Sequence, residues 1–256
     1  MTVLQGHHAF ITGANRGIGA AIVRRLAAAG ADVTLCVRSA ASADAVAKDV
    51  RALGRRAQVV LADVTDRDAL TRACTDAARA LGPITILVNN AGIVETVPFL
   101  KSDAGVFERM IAVHLTAPVV ATQAVLPSMI ERGAGHVVNV ASIAGLAGTA
   151  YVAAYVSAKH AMVGLTRALA AEFAHKGVRV NAVCPGYTDT DLVGDSVGKI
   201  IAKTGRSREE AMAMILRDAG QKRLVTVDEV ADAVLAFVTP GSTANGAAVP
   251  LMGDDT

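Results

Sequence analysis

The sequence predicts an α/β fold in which one doubly wound parallel sheet carries helices on both faces. Strand-length apolar runs alternate with helical patterns of about ten or more residues along the 256-residue chain, and this alternation produces right-handed β-α-β crossovers. Hydrophobic residues make up 52% of the chain and aromatic residues only 3%, as is typical of small helical side chains packed on a buried sheet. No Pro- or Ser-rich segment marks a linker, so we expect a single domain over residues 1–256.

The first half of the chain alternates regularly between the two kinds of element. A short apolar run at residues 8–12 leads through a glycine turn into a helical pattern at 19–30, which closes on a glycine. The same criteria predict strands and helices in alternation at 31–37 (strand), 43–53 (helix), 58–62 (strand), 66–81 (helix) and 84–88 (strand).

The second half continues the pattern and adds an insertion. We predict one long or broken helix at 102–132. After it we predict a strand at 135–140, a helix at 151–176, a strand at 178–183, helices at 209–217 and 227–238, and a strand at 247–251. Apolar residues recur every three or four positions within residues 187–226. That spacing predicts short amphipathic helices that form a lid over a substrate.

Composition excludes several classes of partner. The chain has 25 basic and 23 acidic residues, which gives no electrostatic case for a nucleic acid or a membrane surface. Its apolar runs are strand-length, well below the roughly 20 residues of a membrane span. The N-terminus lacks the basic and long apolar regions of a signal peptide, so we expect a cytoplasmic protein. The three cysteines are scattered and indicate neither disulfides nor a metal site. The expected partner is therefore a small molecule.

Polar and glycine-containing motifs follow six of the predicted strands. Doubly wound sheets bind ligands at the carboxyl ends of their strands, so we expect the site there. The first motif runs Thr12-Gly-Ala-Asn-Arg-Gly-Ile-Gly19. Glycines in this position permit a tight turn and the close approach of a pyrophosphate to a helix N-terminus. The spacing is one residue wider than the usual dinucleotide fingerprint and favours a relative of that Rossmann-type fold, with a purely structural turn as the alternative.

The end of the second strand bears on the choice of nucleotide. An acidic residue there hydrogen-bonds the ribose of NAD, whereas an arginine accommodates the 2′-phosphate of NADP. Here Val37 stands where the acid is expected, and Arg38 and Ser39 follow it with donors suited to phosphate. Arg16 in the glycine turn adds a second positive charge. We therefore predict NADP(H), with NAD as the alternative if both arginines are ordinary surface residues.

Tyr155 and Lys159 are four residues apart on a predicted helix and hence share a face. A nearby ammonium favours phenolate, so the pair predicts a tyrosine whose pKa is lowered from its usual value near 10 toward neutrality. Such a phenol can exchange protons with a substrate. The alternative is an amphipathic helix with one surface tyrosine, because the spacing alone is common.

Together the motifs resemble the short-chain dehydrogenase/reductase (SDR) family over essentially the whole chain, most closely in general appearance its 3-oxoacyl reductases and 3-hydroxyacyl dehydrogenases. Ser142, thirteen residues before Tyr155, completes the family pattern. The resemblance implies that Tyr155 acts as general acid/base, that Ser142 stabilises the substrate oxygen, and that Lys159 lowers the pKa of Tyr155 and binds ribose. It implies a cofactor site formed by Gly13, Asn15, Arg16, Gly17, Ile18, Gly19, Arg38, Ser39, Asp63, Val64, Asn90, Ala91, Gly92, Tyr155, Lys159, Pro185, Gly186, Thr188 and Thr190. It implies no metal.

A departure from the family pattern concerns the catalytic residues. His114 stands where the family has an asparagine that is thought to hold a proton-relaying water. An imidazole can both donate and accept, but its charge changes near pH 6.5. The alternatives are a fourth catalytic residue and a core histidine that is bonded to the backbone.

The substrate side is less defined by the sequence. The apolar lid predicts a hydrophobic ketone such as a 3-oxoacyl thioester, which would contact Val94, Ser142, Leu146, Val152, Tyr187 and Leu192. The main alternative is an NAD-dependent secondary-alcohol dehydrogenase for aryl, cyclic or hydroxy-acid substrates. A non-catalytic nucleotide sensor is a further alternative, which the intact Ser142, Tyr155 and Lys159 disfavour. The resemblance implies a homotetramer.

Overall fold

Seven strands form one parallel sheet in the computed structural model, which describes residues 2–254 apart from the side chain of Leu192. In chain order the strands are β1 (His8–Thr12), β2 (Asp32–Val37), β3 (Ala57–Leu61), β4 (Ile86–Asn89), β5 (Gly135–Val140), β6 (Val178–Pro185) and β7 (Ala248–Leu251). They are arranged β3-β2-β1-β4-β5-β6-β7, so the chain winds outward from β1 in one direction and then from β4 in the other. The point of reversal lies between β1 and β4, where such sheets bind ligands.

Nine helices connect the strands within the described residues. They are α1 (Gly17–Ala28), α2 (Asp44–Ala52), α3 (Arg67–Leu81), α4 (Ala104–Ile111), α5 (Ala117–Glu131), α6 (Ala153–Phe173), α7 (Asp191–Thr204), α8 (Arg208–Asp218) and α9 (Val227–Val238). One apolar layer packs α1, α2 and α9 against the sheet. A second layer packs α3, α5 and the end of α6 against the other face. The predicted α/β class, with helices on both faces of a parallel sheet, is confirmed.

Most element boundaries agree with the sequence prediction to within two residues. Two differences matter for the site. The predicted long helix is α4 and α5 joined by a π-helical turn at Ala112–Thr116, which carries His114. Strand β6 continues to Pro185 and so brings Cys184 to the end of the sheet. Residues 187–226, the predicted lid, contain the helices α7 and α8, and the apolar spacing predicts short helices there.

The continuous helical run Ala104–Glu131 is long and apolar enough by composition to span a membrane, with a mean hydropathy of 1.5 over its most apolar stretch. The strand-length runs considered in the sequence did not predict this, because polar residues and Pro127 interrupt the apolar positions. In the structure α5 packs on α3 and β4, and α4 packs on α6. A core helix of a doubly wound sheet meets the same criterion of length and hydropathy.

Candidate active site

A cavity of about 680 Å³ lies at the carboxyl ends of the strands. It is bordered by the glycine turn, the ends of β2 to β5, the π-helical turn and the first residues of α7. Sixteen residues predicted for the site line it, namely Gly13, Asn15, Arg16, Gly17, Ile18, Gly19, Arg38, Asp63, Val64, Asn90, Ala91, Gly92, His114, Tyr155, Lys159 and Thr190. The other predicted residues, Ser39, Val94, Ser142, Leu146, Val152, Pro185, Gly186, Tyr187 and Thr188, are not part of this lining.

The glycine turn is held tightly against the end of β4. Asn90 Nδ2 donates to the carbonyl oxygens of Thr12 at 2.9 Å and Gly13 at 3.1 Å. A Cβ atom at Gly19 would lie only 2.1 Å from the Gly13 oxygen, so no larger residue fits there. The first turn of α1 has no side-chain cap and borders the cavity. Uncapped N–H groups at a helix N-terminus suit the pyrophosphate of a dinucleotide.

The edge of the cavity beyond β2 and β3 carries one exposed cation, Arg38, next to buried Val37. Asp63 accepts hydrogen bonds from the Thr65 hydroxyl at 2.7 Å and from the Thr65 backbone at 2.9 Å. These bonds, and more weakly the positive charge of Arg38, hold the pKa of Asp63 below its usual value. A cation with no acid at the end of β2 fits a 2′-phosphate.

Ser142 and Tyr155 meet at the end of β5. Ser142 begins a short 3-10 turn, Ile143–Gly145, and its hydroxyl oxygen accepts a bond from the Ala144 backbone at 3.1 Å. That bond fixes the Ser142 side chain, whose hydroxyl is close enough to the Tyr155 phenol to lower its pKa. Lys159 lies one helical turn after Tyr155. Its Nζ donates to the Val140 carbonyl at 2.8 Å and lies 5.6 Å from the centre of the Tyr155 ring.

Burial dominates the ionisation of this pair. It raises the pKa of Tyr155 to about 12, against the lowering effect of the Ser142 hydroxyl. Burial also lowers the pKa of Lys159 to about 7. Desolvation of the phenol therefore dominates the tyrosine pKa in this structure, and the lowering effect of Lys159 stays a prediction. At neutral pH the Tyr155 phenol carries its proton.

His114 is a buried, neutral residue of the π-helical turn, only 1% exposed. Its Nε2 lies 2.7 Å from the Ile93 carbonyl oxygen and hence donates a hydrogen bond to it, while Nδ1 is buried without a partner among the described residues. The ring meets the Tyr155 ring edge-on, with centres 5.2 Å apart. Burial and then the charge of Lys159 lower the His114 pKa to about 3. A change of charge near pH 6.5 is therefore ruled out, and the water-relay role stays a prediction.

A buried polar chain that the sequence analysis missed positions helix α6. Asn89 Nδ2 donates to Asn139 Oδ1 at 2.8 Å, and Asn139 Nδ2 donates to the Thr166 hydroxyl at 2.8 Å. The two asparagines lie opposite each other in the pairing of β4 and β5. Their shared position in two neighbouring strands was the available sequence signal. These hydrogen bonds join β4 and β5 to α6, the helix that carries Tyr155 and Lys159.

The lid side of the site is organised by Gln221. Its side-chain oxygen accepts from the Tyr187 backbone at 2.7 Å, and its Nε2 donates to the Tyr187 carbonyl at 3.1 Å. The Tyr187 phenol lies near enough to Tyr155 to raise the tyrosine pKa further. Leu146 is 39% exposed. The side chain of Leu192 lies outside the described part of the chain, and substrate contacts of the predicted residues stay predictions.

Three further residues at the site were not singled out by the sequence. The sequence indicated neither a disulfide nor a metal site at Cys184, but in the structure its thiol lies near Ser142 and Lys159. Burial raises its pKa to about 11, opposed by a hydrogen bond from the Ser142 backbone and by the charge of Lys159. Arg109 lines the cavity and binds Glu95 through two hydrogen bonds of 2.8 Å.

In residues 2–254 no three His, Cys, Asp or Glu side chains gather in a group suited to a metal ion.

Comparison with known proteins gives consistent matches along the chain. A family model described as short chain dehydrogenase matches residues 7–200. The cis-4-hydroxycyclohexanecarboxylate dehydrogenase of Sinomonas cyclohexanicum is 39% identical over 223 residues, which cover 82% of this chain and 89% of that protein. The D-beta-hydroxybutyrate dehydrogenase of Rhizobium meliloti is 35% identical over 231 residues, 89% of each protein. The crystal structure of levodione reductase matches with a TM-score of 0.90 and 30% identity, covering 98% of this chain and 97% of that one.

Proposed function

The chain belongs to the short-chain dehydrogenase family and is an NAD(P)-dependent oxidoreductase acting on CH–OH groups; we propose that it uses NADP(H) to interconvert a hydrophobic ketone and its secondary alcohol. The observation that carries the cofactor assignment is Arg38, which borders the cavity at the end of β2 where no acid is present. A cyclic ketone or a 3-oxoacyl thioester is the proposed substrate class.

The residues around the cavity fit a nicotinamide dinucleotide. The glycine turn and the uncapped start of α1 would hold its pyrophosphate, Arg38 its 2′-phosphate, and Lys159 its nicotinamide ribose. The bound nicotinamide supplies or accepts the hydride.

The protein's own residues supply the proton and the oxygen-binding group. Tyr155 is protonated at neutral pH, which is the form that gives a proton to a ketone oxygen during reduction. The Ser142 hydroxyl, held by the Ala144 backbone, donates a hydrogen bond toward the same point and stabilises charge that develops there. In the direction of alcohol oxidation, Tyr155 would instead have to lose its proton first.

The charges near the reacting end favour an uncharged substrate. Arg109 borders the cavity, but its Nε and Nη2 groups each donate to the Glu95 carboxylate. Lys199 of α7 is close enough to Glu95 to help hold its pKa below the usual value. Asp103 and Glu108 also act electrostatically on Arg109, so three carboxylates surround these two cations and disfavour a substrate carboxylate at this point.

A second candidate is an NAD-dependent dehydrogenase for a cyclic or hydroxy acid. The two relatives compared above act, by their names, on cis-4-hydroxycyclohexanecarboxylate and D-beta-hydroxybutyrate, and this supports the second candidate. A homotetrameric assembly and a cytoplasmic location remain predictions.

Fluorescence titration with NADPH and NADH tests the cofactor assignment. We expect NADPH to bind about tenfold more tightly or better, and Arg38→Ala to remove that preference while leaving NADH binding unchanged. NADH binding equal to or tighter than NADPH binding would overturn the assignment.

Turnover tests the catalytic assignment. Cyclic ketones, aryl ketones and 3-oxoacyl-CoA would be screened with the tighter cofactor, alongside 3-hydroxybutyrate and a cyclic hydroxy acid in the oxidative direction. Tyr155→Phe should lower turnover on the best substrate by about a hundredfold or more with unchanged nucleotide affinity. Unchanged turnover in that variant would contradict the role of Tyr155 and support a nucleotide-binding protein.

A further inference from the structure

An ion pair joins the glycine turn to the lid across the mouth of the cavity. Arg16 Nη1 lies 3.0 Å from Asp191 Oδ2, although the two residues are 175 positions apart in the chain. Asp191 is the first residue of α7, and both residues line the cavity. The two segments also approach each other directly, since a Cβ atom at Gly17 would lie 3.3 Å from Thr190 Cγ2.

We propose that Arg16 and Asp191 form a latch that retains the bound nucleotide, and that Arg16 does not select the 2′-phosphate. This rests on the proposed nucleotide-binding function. The segment that bears Arg16 is the one that fits the pyrophosphate, and Asp191 begins the lid. A nucleotide in the cavity therefore lies between segments that the pair joins. Release of that nucleotide requires the two segments to part.

The two arginines near the nucleotide differ in their partners. A 2′-phosphate that approached Arg16 would have to displace the Asp191 carboxylate, which already neutralises the guanidinium. Arg38 forms no ion pair within 4.0 Å in the part of the chain that the structure describes. Arg38, and not Arg16, is therefore the arginine that binds the 2′-phosphate. Arg16 acts equally on NADPH and NADH, which share the pyrophosphate.

The size of the effect follows from exposure. The Arg16 and Asp191 side chains are 68% and 72% exposed, and exposed ion pairs contribute little because water and salt screen them. We expect loss of the pair to speed nucleotide release about threefold. The effect should disappear at about 1 M salt, where the Debye length is only about 3 Å.

Stopped-flow displacement of bound NADPH and NADH tests the latch without requiring a substrate. Arg16→Ala and Asp191→Ala should each raise the dissociation rate of both nucleotides about threefold, and the double variant should raise it no further. Asp195→Ala, which removes an exposed acid from the next turn of α7, is the matched control and should leave both rates unchanged. Arg38→Ala should speed the release of NADPH alone.

Three results would overturn the latch. These are an Arg16→Ala effect confined to NADPH, a slower release of NADPH in Asp191→Ala, or unchanged rates in both single variants at low salt. The proposed cofactor preference fails separately. If wild-type protein binds NADH more tightly than NADPH, equal effects of both latch variants on the two nucleotides still support the latch.

Discussion

The buried His114 imidazole should make folding sensitive to acid, and His114→Asn should remove that sensitivity. Burial lowers the pKa of this ring to about 3 from its usual value of 6.5. Between these values the unfolded chain binds a proton that the folded protein excludes, so stability is present above pH 6.5 and is lost as pH falls toward 3. The full difference of about 3.5 pH units corresponds to ~5 kcal/mol.

The loss of stability that can be measured between pH 7.5 and pH 5 is smaller than this full difference. At pH 5 the unfolded ring is almost fully protonated and the folded ring is neutral, so His114 contributes a loss of ~2 kcal/mol relative to pH 7.5. Burial, with the charges of Arg179 and His7, likewise lowers the pKa of His136 to about 4, which adds a loss of ~2 kcal/mol. His114→Asn should therefore remove about half of the loss that these two rings cause.

Urea unfolding followed by far-UV circular dichroism measures this quantity, because the chain contains no tryptophan. Wild-type protein, His114→Asn and His136→Asn would be compared at pH 7.5, 6 and 5 at one protein concentration. His175→Asn, at an exposed position, is the control and should retain the wild-type pH dependence. If His114→Asn also loses as much stability as wild type between pH 7.5 and 5, the ring is not held neutral in the folded protein.

Three other variants test the packing of the site and the fold. Gly19→Ala should destabilise by ~3 kcal/mol in urea unfolding, because its Cβ would overlap the Gly13 oxygen, whereas Gly148→Ala has open space and should change stability by less than about 0.5 kcal/mol. Ser142→Ala should lower kcat by about a hundredfold without weakening nucleotide binding in a fluorescence titration, and equal kcat would refute its oxygen-stabilising role. Asp32→Asn should cost ~1 kcal/mol of unfolding free energy, since it removes the carboxylate charge shared by Arg55 and Arg56, whose side chains are 23% and 59% exposed; unchanged stability would contradict this.

The fold and the location of the site follow from patterns that are local in the sequence. Apolar runs and helical spacing predict each strand and helix, and parallel strands bring their carboxyl ends to one edge. The sequence therefore predicts that Asn90 and Gly92 lie beside the glycine turn, and this prediction needs no long-range contacts. The π-helical turn around His114 was not predicted, because its residues continue the helical pattern on either side.

The properties that sequence reasoning missed or reversed depend on distant segments. The Arg16–Asp191 pair joins residues that no periodicity relates. Cys184 has the composition of a core position, and only the pairing of β5 with β6 brings its thiol to Ser142. The direction of the Tyr155 shift depends on how much of the phenol is desolvated, which is a property of the packed protein.

Opposite shifts in Tyr155 and Lys159 make one further prediction about turnover. Since the pKa of Tyr155 is about 12 and that of Lys159 about 7, the group that titrates near neutrality is the lysine. Its ammonium is the form that supports the developing negative charge at the phenol, so kcat/KM for nucleotide in ketone reduction should fall as pH rises through about 7. Lys159→Arg, whose guanidinium stays charged, should have lower activity but no break between pH 6 and 8. A break at the same pH in both proteins would assign it to a group other than Lys159.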